Sequence, residues 1–185
     1  MNLQRDIKSL TISPQEFNEF ALLLYKHFGI YLNDNKKALV AGRLHSLTQI
    51  LGFHFLGEYL AYLKQNANEE TFIELANHIT TNHTYFGREW QLFDFFLKTA
   101  LPEIARTQTS TLSGTNKDDI RIWSAGCSTG QESYTLVMLM MEYFQNNYGH
   151  WKSGVLATDI SQKTLAIAKE GKYTDEQVRA LPANL

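Results

Sequence analysis

Arg121 to Tyr143 reads RIWSAGCSTGQESYTLVMLMMEY, and the succession of textures within it decides the fold. Ile120 to Ser124 has the character of a short buried strand. Gly126 and Gly130 bracket three small residues, and a long apolar helix follows from Gln131. A glycine-bracketed turn between a strand and a helix N-terminus lets a ligand come close to the backbone. Downstream, GVLATD (154–159) reads as a second strand and SQKTLAIAKEG (161–171) as a second helix capped by Ser161. Strand, helix, strand, helix implies a right-handed parallel crossover, with a ligand at the carboxyl ends of the strands.

The loop excludes two common ligands. A phosphate-binding P-loop needs Lys and then Ser or Thr after its second glycine, where this chain has Gln131 and Glu132. The dinucleotide pattern G-x-G-x-x-G is absent as well. What remains is a close-approach loop with Glu132 just beyond it and Asp159 at the end of the second strand. Asp159 suits the two hydroxyls of a ribose, and Glu132 suits a cationic group. A nucleoside with a ribose, a positive charge and no phosphate describes S-adenosylmethionine. The bland alternative makes Glu132 a helix-capping acid and Asp159 a structural strand-end residue.

The chain before this segment is helical in pattern. SPQEFNEFALLLYKHFG (13–29) supplies Ser13 as N-cap, Pro14 at the first helical position, Glu16 for a capping box and Gly29 as the stop. NDNKKALVAGRLHSLTQILG (33–52) repeats the plan, with Leu39, Val40, Leu44, Leu47 and Leu51 on one face. Shorter helices are expected over 56–63 and 70–79, and a further one over 88–106 with a buried aromatic face and a kink or end at Pro102. TQTSTLSGTNKDD (107–119) reads as a flexible polar loop. The expected organisation is an all-helical domain over 1–77, a linker and first helix over 78–106, and the α/β domain over 107–185.

Composition narrows the function. In 185 residues, 17 Lys and Arg face 19 Asp and Glu for a formal charge of −2, which gives no overall electrostatic reason to bind nucleic acid. No apolar run approaches the ~20 residues of a membrane span, and MNLQRDIKSL lacks a signal-peptide core. The lone Cys127 cannot form an internal disulfide, so a cytoplasmic protein is expected. Cys127 itself reads as a buried small residue rather than a nucleophile. The six histidines show no spacing suited to a metal, and none is expected.

Upstream of the loop, TTNHTYFGREWQLF (80 onward) supplies Thr81, Asn82, Thr84, Phe86, Arg88 and Glu89. With IWSAGCSTGQESYT and ATDIS, it resembles the chemotaxis receptor methyltransferase family (CheR), whose members carry T-N-x-T-x-F-F-R-E, I-W-S-A-A-C-S-x-G-E-E-P-Y-S and A-T-D-I-D in that order. The resemblance covers the whole chain. It implies an α/β fold: an N-terminal helical domain followed by the first part of a doubly wound, Rossmann-like domain that binds S-adenosylmethionine. It also implies methyl transfer to glutamates of the cytoplasmic domains of transmembrane chemoreceptors, with S-adenosylhomocysteine as product. Asn82, Thr84, Arg88, Gly126, Glu132 and Asp159 are then expected at the cofactor, and Arg88 also at the acceptor carboxylate as the catalytic residue.

The departures are Gln131 for the family's first loop acid, Ser133 for its proline, Gly126 for its second alanine and Gly87 for its second phenylalanine. Family members also continue beyond the equivalent of ALPANL (180–185). The chain therefore reads as part of a longer protein, or as one that self-associates through an incomplete sheet, and as inactive alone. Lys36, Lys37 and Arg43 read either as a solvated helix face or as a surface for acidic receptor helices. Two other functions compete: a non-catalytic receptor-binding or cofactor-sensing module, and a nucleotide enzyme such as a dehydrogenase.

Overall fold

The computed structural model describes residues 12–66, 68–110 and 119–185. The MNLQRDIKSL stretch and the centre of the expected polar loop, 111–118, lie outside the described residues. The chain divides into two compact units, Met1–Thr81 and Asn82–Leu185. Among the described residues, no helix is long and apolar enough to cross a membrane.

The first unit is helical. α1 (Pro14–Phe28) opens on the expected capping box, in which the Glu16 amide donates to Ser13 Oγ and the Ser13 amide donates to the Glu16 carboxylate. It closes at Gly29, whose φ of 67° is open to glycine at no steric cost. A 3₁₀ turn (Asp34–Lys36) leads into α2 (Lys37–Ile50), followed by α3 (Leu56–Asn66) and α4 (Glu69–Ile79). Glu58 starts α3 by accepting the amides of His54 and Phe55, and Asn68 starts α4 by accepting that of Thr71.

These helices share one core, in which Phe20, Leu24, Leu44, Leu47, Leu63 and Leu75 are completely buried. Each such side chain contributes about 1.5–3 kcal/mol through area removed from water. Leu39 departs from the expected face. It is exposed, and Thr48 is buried instead, because the inward stripe of α2 runs Val40, Leu44, Leu47 and Thr48. Tyr59 is fully buried with no partner for its hydroxyl among the described residues. That burial, with the Glu74 charge and Tyr62 adding to it, pushes its phenol above the usual range, so the ring stays neutral.

The second unit starts with a turn that differs from the expected helix at Arg88. Gly87 (φ 81°) and Glu89 (φ 55°) are both left-handed, so α5 begins only at Trp90 (Trp90–Phe95). Its aromatic face is split: Phe93 is buried, whereas Leu92 and Phe95 are exposed. A π-helical turn (Phe96–Ala100) then runs into α6 (Leu101–Ser110). Pro102 neither ends nor breaks this run, because a proline near the start of a new helical segment has no amide that the segment requires. The first residues of the expected loop, 107–110, are consequently helical.

β1 (Asp119–Ala125) and β2 (Lys152–Thr158) pair in parallel, with Asp119 opposite Lys152 and Ala125 opposite Thr158. The crossover between them is α7 (Gln131–Phe144) and a 3₁₀ turn (Gln145–His150), and β2 starts two residues earlier than expected. Ile120 of β1 packs with Leu101, Met140 and Phe144, and Ile122 and Val155 border that cluster. On the opposite face the register partners Trp123 and Leu156 remain 67% and 63% exposed. One face of the sheet is thus covered and the other is not, among the described residues. After α8 (Gln162–Glu170), Thr174 and Gln177 form a second capping box that starts α9 (Asp175–Val178), a T-x-x-Q signal overlooked in the sequence.

Arg43 is more than a solvated helix-face residue. Its guanidinium is half-buried and donates to the Ile79 carbonyl and to Thr81 Oγ1, the latter at 2.7 Å, so it holds the C-terminal end of α4. Arg43→Met should therefore cost about 1.5–3 kcal/mol, the scale of hydrogen bonds to a charged group. Urea unfolding of the variant checks this, and an unchanged midpoint would contradict it.

Candidate cofactor-binding site

The site is built at the carboxyl end of the strand pair. As the chain leaves β1, the amides of Gly126 and Cys127 both donate to the Thr158 carbonyl at the end of β2, at 2.7 and 2.9 Å. The sheet's last hydrogen bonds therefore start the loop. Gly126 has φ 82° and open space where a Cβ would stand. Gly130 differs: its φ is 97°, and a Cβ there would lie 2.8 Å from Tyr173 Oη and 3.0 Å from Ala168 Cβ. One glycine faces space that a ligand can use, and the other is required by packing.

Ser128 gathers the three motifs. Its amide donates to Asp159 Oδ2 at 2.7 Å, and its hydroxyl donates to the Asn82 carbonyl at 2.8 Å. Its φ of 50° places it in the left-handed region, a conformation sustained by these two bonds. The other oxygen of Asp159 accepts the Ser161 amide at 2.8 Å. Asp159 thus organises the loop and the start of α8 directly, in keeping with the structural alternative open to it as a strand-end acid.

A cavity of about 360 Å³ opens beside the loop. Thr84, Arg88, Gly126 and Glu132 line it, joined by Tyr85, Glu89, Leu92, Phe93, Cys127 and Leu136. Four of the expected site residues therefore meet in one cavity. Asn82 and Asp159 are not in its lining; both bond to Ser128, the residue after the lining residue Cys127. Glu132 Oε1 accepts the hydroxyl of buried Ser124 at 2.7 Å, which fixes the carboxylate at the first turn of α7. Arg88 donates through Nη1 to the His83 carbonyl at 2.9 Å and has Glu89 Oε1 3.7 Å from its Nε. The lining so combines a cation, two carboxylates and apolar side chains within the size range of small-molecule pockets.

Cys127 is almost entirely buried. That burial, with the negative charges of Asp159 and Glu132 adding to it, pushes its thiol above the usual range. A thiol held protonated is a poor nucleophile, so Cys127 serves the cavity as a small wall residue. Gln131, which stands where the family resemblance has an acid, is buried and accepts the Thr129 hydroxyl at 2.7 Å. Ser133, at the family's proline position, has a buried hydroxyl without a partner among the described residues.

A strand-loop-helix cradle that offers a carboxylate and a guanidinium, but no phosphate-binding lysine, defines an α/β domain suited to a small charged ligand other than a triphosphate. Residues 15–80 match the CheR methyltransferase all-alpha domain, and residues 82–185 match the CheR methyltransferase SAM binding domain. The chain belongs to the CheR methyltransferase family, and S-adenosylmethionine is the cofactor of its second domain. Similar proteins include a chemotaxis protein methyltransferase of Borreliella burgdorferi, 39% identical over 177 residues, which cover 96% of this chain and 61% of that protein. Chemotaxis protein methyltransferase 1 of Pseudomonas aeruginosa is 35% identical, over 89% of this chain and 58% of its own. The chemotaxis protein methyltransferase of Escherichia coli is 32% identical, over 93% and 55%. The chain therefore spans somewhat more than half the length of these relatives.

The two loop glycines should respond differently to a methyl group. Gly130→Ala adds a steric clash to an unfavourable φ and should cost about 2–4 kcal/mol, whereas Gly126→Ala should cost only the conformational part, about 1–2 kcal/mol. Thermal unfolding of both variants measures the difference. Equal losses would contradict the steric role assigned to Gly130.

Proposed function

We propose that this protein is an S-adenosylmethionine-dependent O-methyltransferase of bacterial chemotaxis that esterifies glutamate side chains on the cytoplasmic domains of transmembrane chemoreceptors. The observation that carries this reading is the meeting of Arg88 and Thr84, from the upstream motif, with Gly126 and Glu132, from the loop, in one cavity. The names of the relatives support the chemotaxis setting. Both protein and substrate domain are then cytoplasmic. The helical domain (1–77) is assigned to the receptor, 78–106 to the linker and first helix of the methyltransferase domain, which bring Thr84 and Arg88 to the cavity, and 107–185 to the α/β part that binds the cofactor.

The residues fit that cofactor. Bound S-adenosylmethionine supplies a methyl group on a sulfonium. Glu132 faces the cationic part of the ligand, with Oε1 steadied by Ser124. Asp159 serves the ribose through the lone pairs that its two amide partners leave, since each carboxylate oxygen accepts more than one hydrogen bond. Asn82 and Thr84 sit on the segment that Ser128 ties to the loop. The exposed Arg88 guanidinium pairs with a carboxylate, that of the acceptor glutamate or of the methionyl group. A glutamate carboxylate is already a nucleophile at neutral pH. The protein's task is therefore proximity and orientation, with no general base needed.

Calorimetry with S-adenosylhomocysteine, ATP and NAD tests the cofactor reading, and saturable binding is expected from the first alone. Binding of NAD or ATP that S-adenosylhomocysteine does not displace would falsify it. Methyl transfer to receptor-bearing membranes tests the reaction. In the chain extended to the length of its relatives, Arg88→Ala should lower kcat/KM by about 10- to 150-fold, the equivalent of one hydrogen-bonded charge pair. Cofactor binding without any methyl transfer, in the chain or its extended form, would favour a sensing module instead.

A further inference from the structure

Tyr173 lies outside the cavity, beyond the C-terminal end of α8, yet it reaches the loop that forms the cavity wall. Its hydroxyl donates to the Thr129 carbonyl at 2.6 Å. Its ring meets Phe86 edge-on at 4.8 Å between centroids, and Tyr134 edge-on at 5.7 Å. Phe86 belongs to the upstream motif, Thr129 to the loop and Tyr134 to α7, so one side chain touches three of the segments that frame the site.

The consequence follows from the planarity of the peptide bond. Fixing the Thr129 oxygen also fixes the direction of the Gly130 amide, which donates to the Cys127 carbonyl at 2.9 Å and closes the loop. Gly130 can accept this arrangement because it carries no Cβ, which would stand 2.8 Å from the phenol oxygen. The amides of Gly126, Cys127 and Ser128 are tied by Thr158 and Asp159, and the Ser128 hydroxyl by Asn82.

We propose that Tyr173 is a positioning residue for the cofactor loop, clamping the Thr129–Gly130 peptide from behind so that Gly126, Cys127 and Glu132 hold their places in the cavity wall. The proposal rests on the reading of this cavity as the S-adenosylmethionine site. Burial, with Tyr134 and Cys127 adding to it, pushes the Tyr173 phenol up to about 12, so it remains a donor throughout the neutral range.

The test compares Tyr173→Phe with Tyr134→Phe in the full chain. Each variant keeps its ring and loses one hydroxyl bond to a backbone carbonyl, since Tyr134 Oη donates to the Ala168 carbonyl at 2.9 Å. Their losses of thermal stability should therefore be alike. Maleimide alkylation of Cys127, the chain's single cysteine, reports local opening of the loop without any cofactor. Tyr173→Phe should raise that rate, and weaken S-adenosylhomocysteine, by about 3- to 10-fold, the range of one neutral hydrogen bond. Tyr134→Phe should leave both near the wild-type values. Equal alkylation rates in the two variants would overturn the clamp. A wild-type chain that takes up no S-adenosylhomocysteine overturns the cofactor reading instead, and the alkylation rates alone then decide whether Tyr173 holds the loop.

Discussion

The second unit depends on what happens at the end of β2. Thr158 accepts two successive loop amides through its carbonyl, and Asp159 accepts a third amide and that of Ser161 through its carboxylate. A carboxylate that accepts backbone N–H groups forms stronger bonds than a neutral acceptor, and it neutralises donors that a tight turn leaves unpaired. With these bonds made, the chain leaves β1 at a defined angle and enters α7 through Gly130. Without them the loop would have to satisfy its amides with water and would lose its shape. The parallel pairing matters because it brings Ala125 opposite Thr158, so that both strands end at the same level.

The cavity places charge where the surrounding structure has already fixed it. Ser124 holds Glu132 from the buried side of β1, so the carboxylate does not have to find its geometry when a ligand arrives. Preorganised groups of this kind favour binding because their ordering cost falls on folding. Arg88 is different: it is exposed and lies in a turn between two left-handed residues, Gly87 and Glu89. Its guanidinium, 3.7 Å from the Glu89 carboxylate, is less fixed than Glu132. Gly87 replaces aromatic bulk expected from the family pattern, and its φ of 81° is one that a phenylalanine adopts only with strain.

Two sequence departures carry their own chemistry. Gln131 in place of an acid removes a charge from the start of α7 and keeps a side chain that accepts a loop hydroxyl. Ser133 in place of proline buries a hydroxyl without a partner among the described residues, an unfavourable choice by about 1–3 kcal/mol in protein contexts. Nothing in the structure explains why serine stands there.

Local features were legible in the sequence wherever one segment contains its own reason. The Ser13 and Glu16 capping box, the Gly29 stop, the Gly126 to Gly130 loop and the alternation of strand and helix are each specified by neighbours within a few residues. Thr84, Arg88, Gly126 and Glu132 line one cavity, and of these Gly126 and Glu132 could be singled out from the local chemistry of the loop, whereas Thr84 and Arg88 were legible only through the resemblance of their motif. Tertiary structure decided the rest, since it joins residues that are far apart in the chain. Pro102 passes within a helical run because a π turn precedes it, and Leu39 is exposed because the packed stripe of α2 begins at Val40. Arg43 is consumed by Ile79 and Thr81, Ser128 bridges Asn82 and Asp159, and Tyr173 reaches Thr129 across 44 positions. No local pattern encodes such bonds, because a hydrogen bond depends on distance in space, and only the packed chain sets that distance.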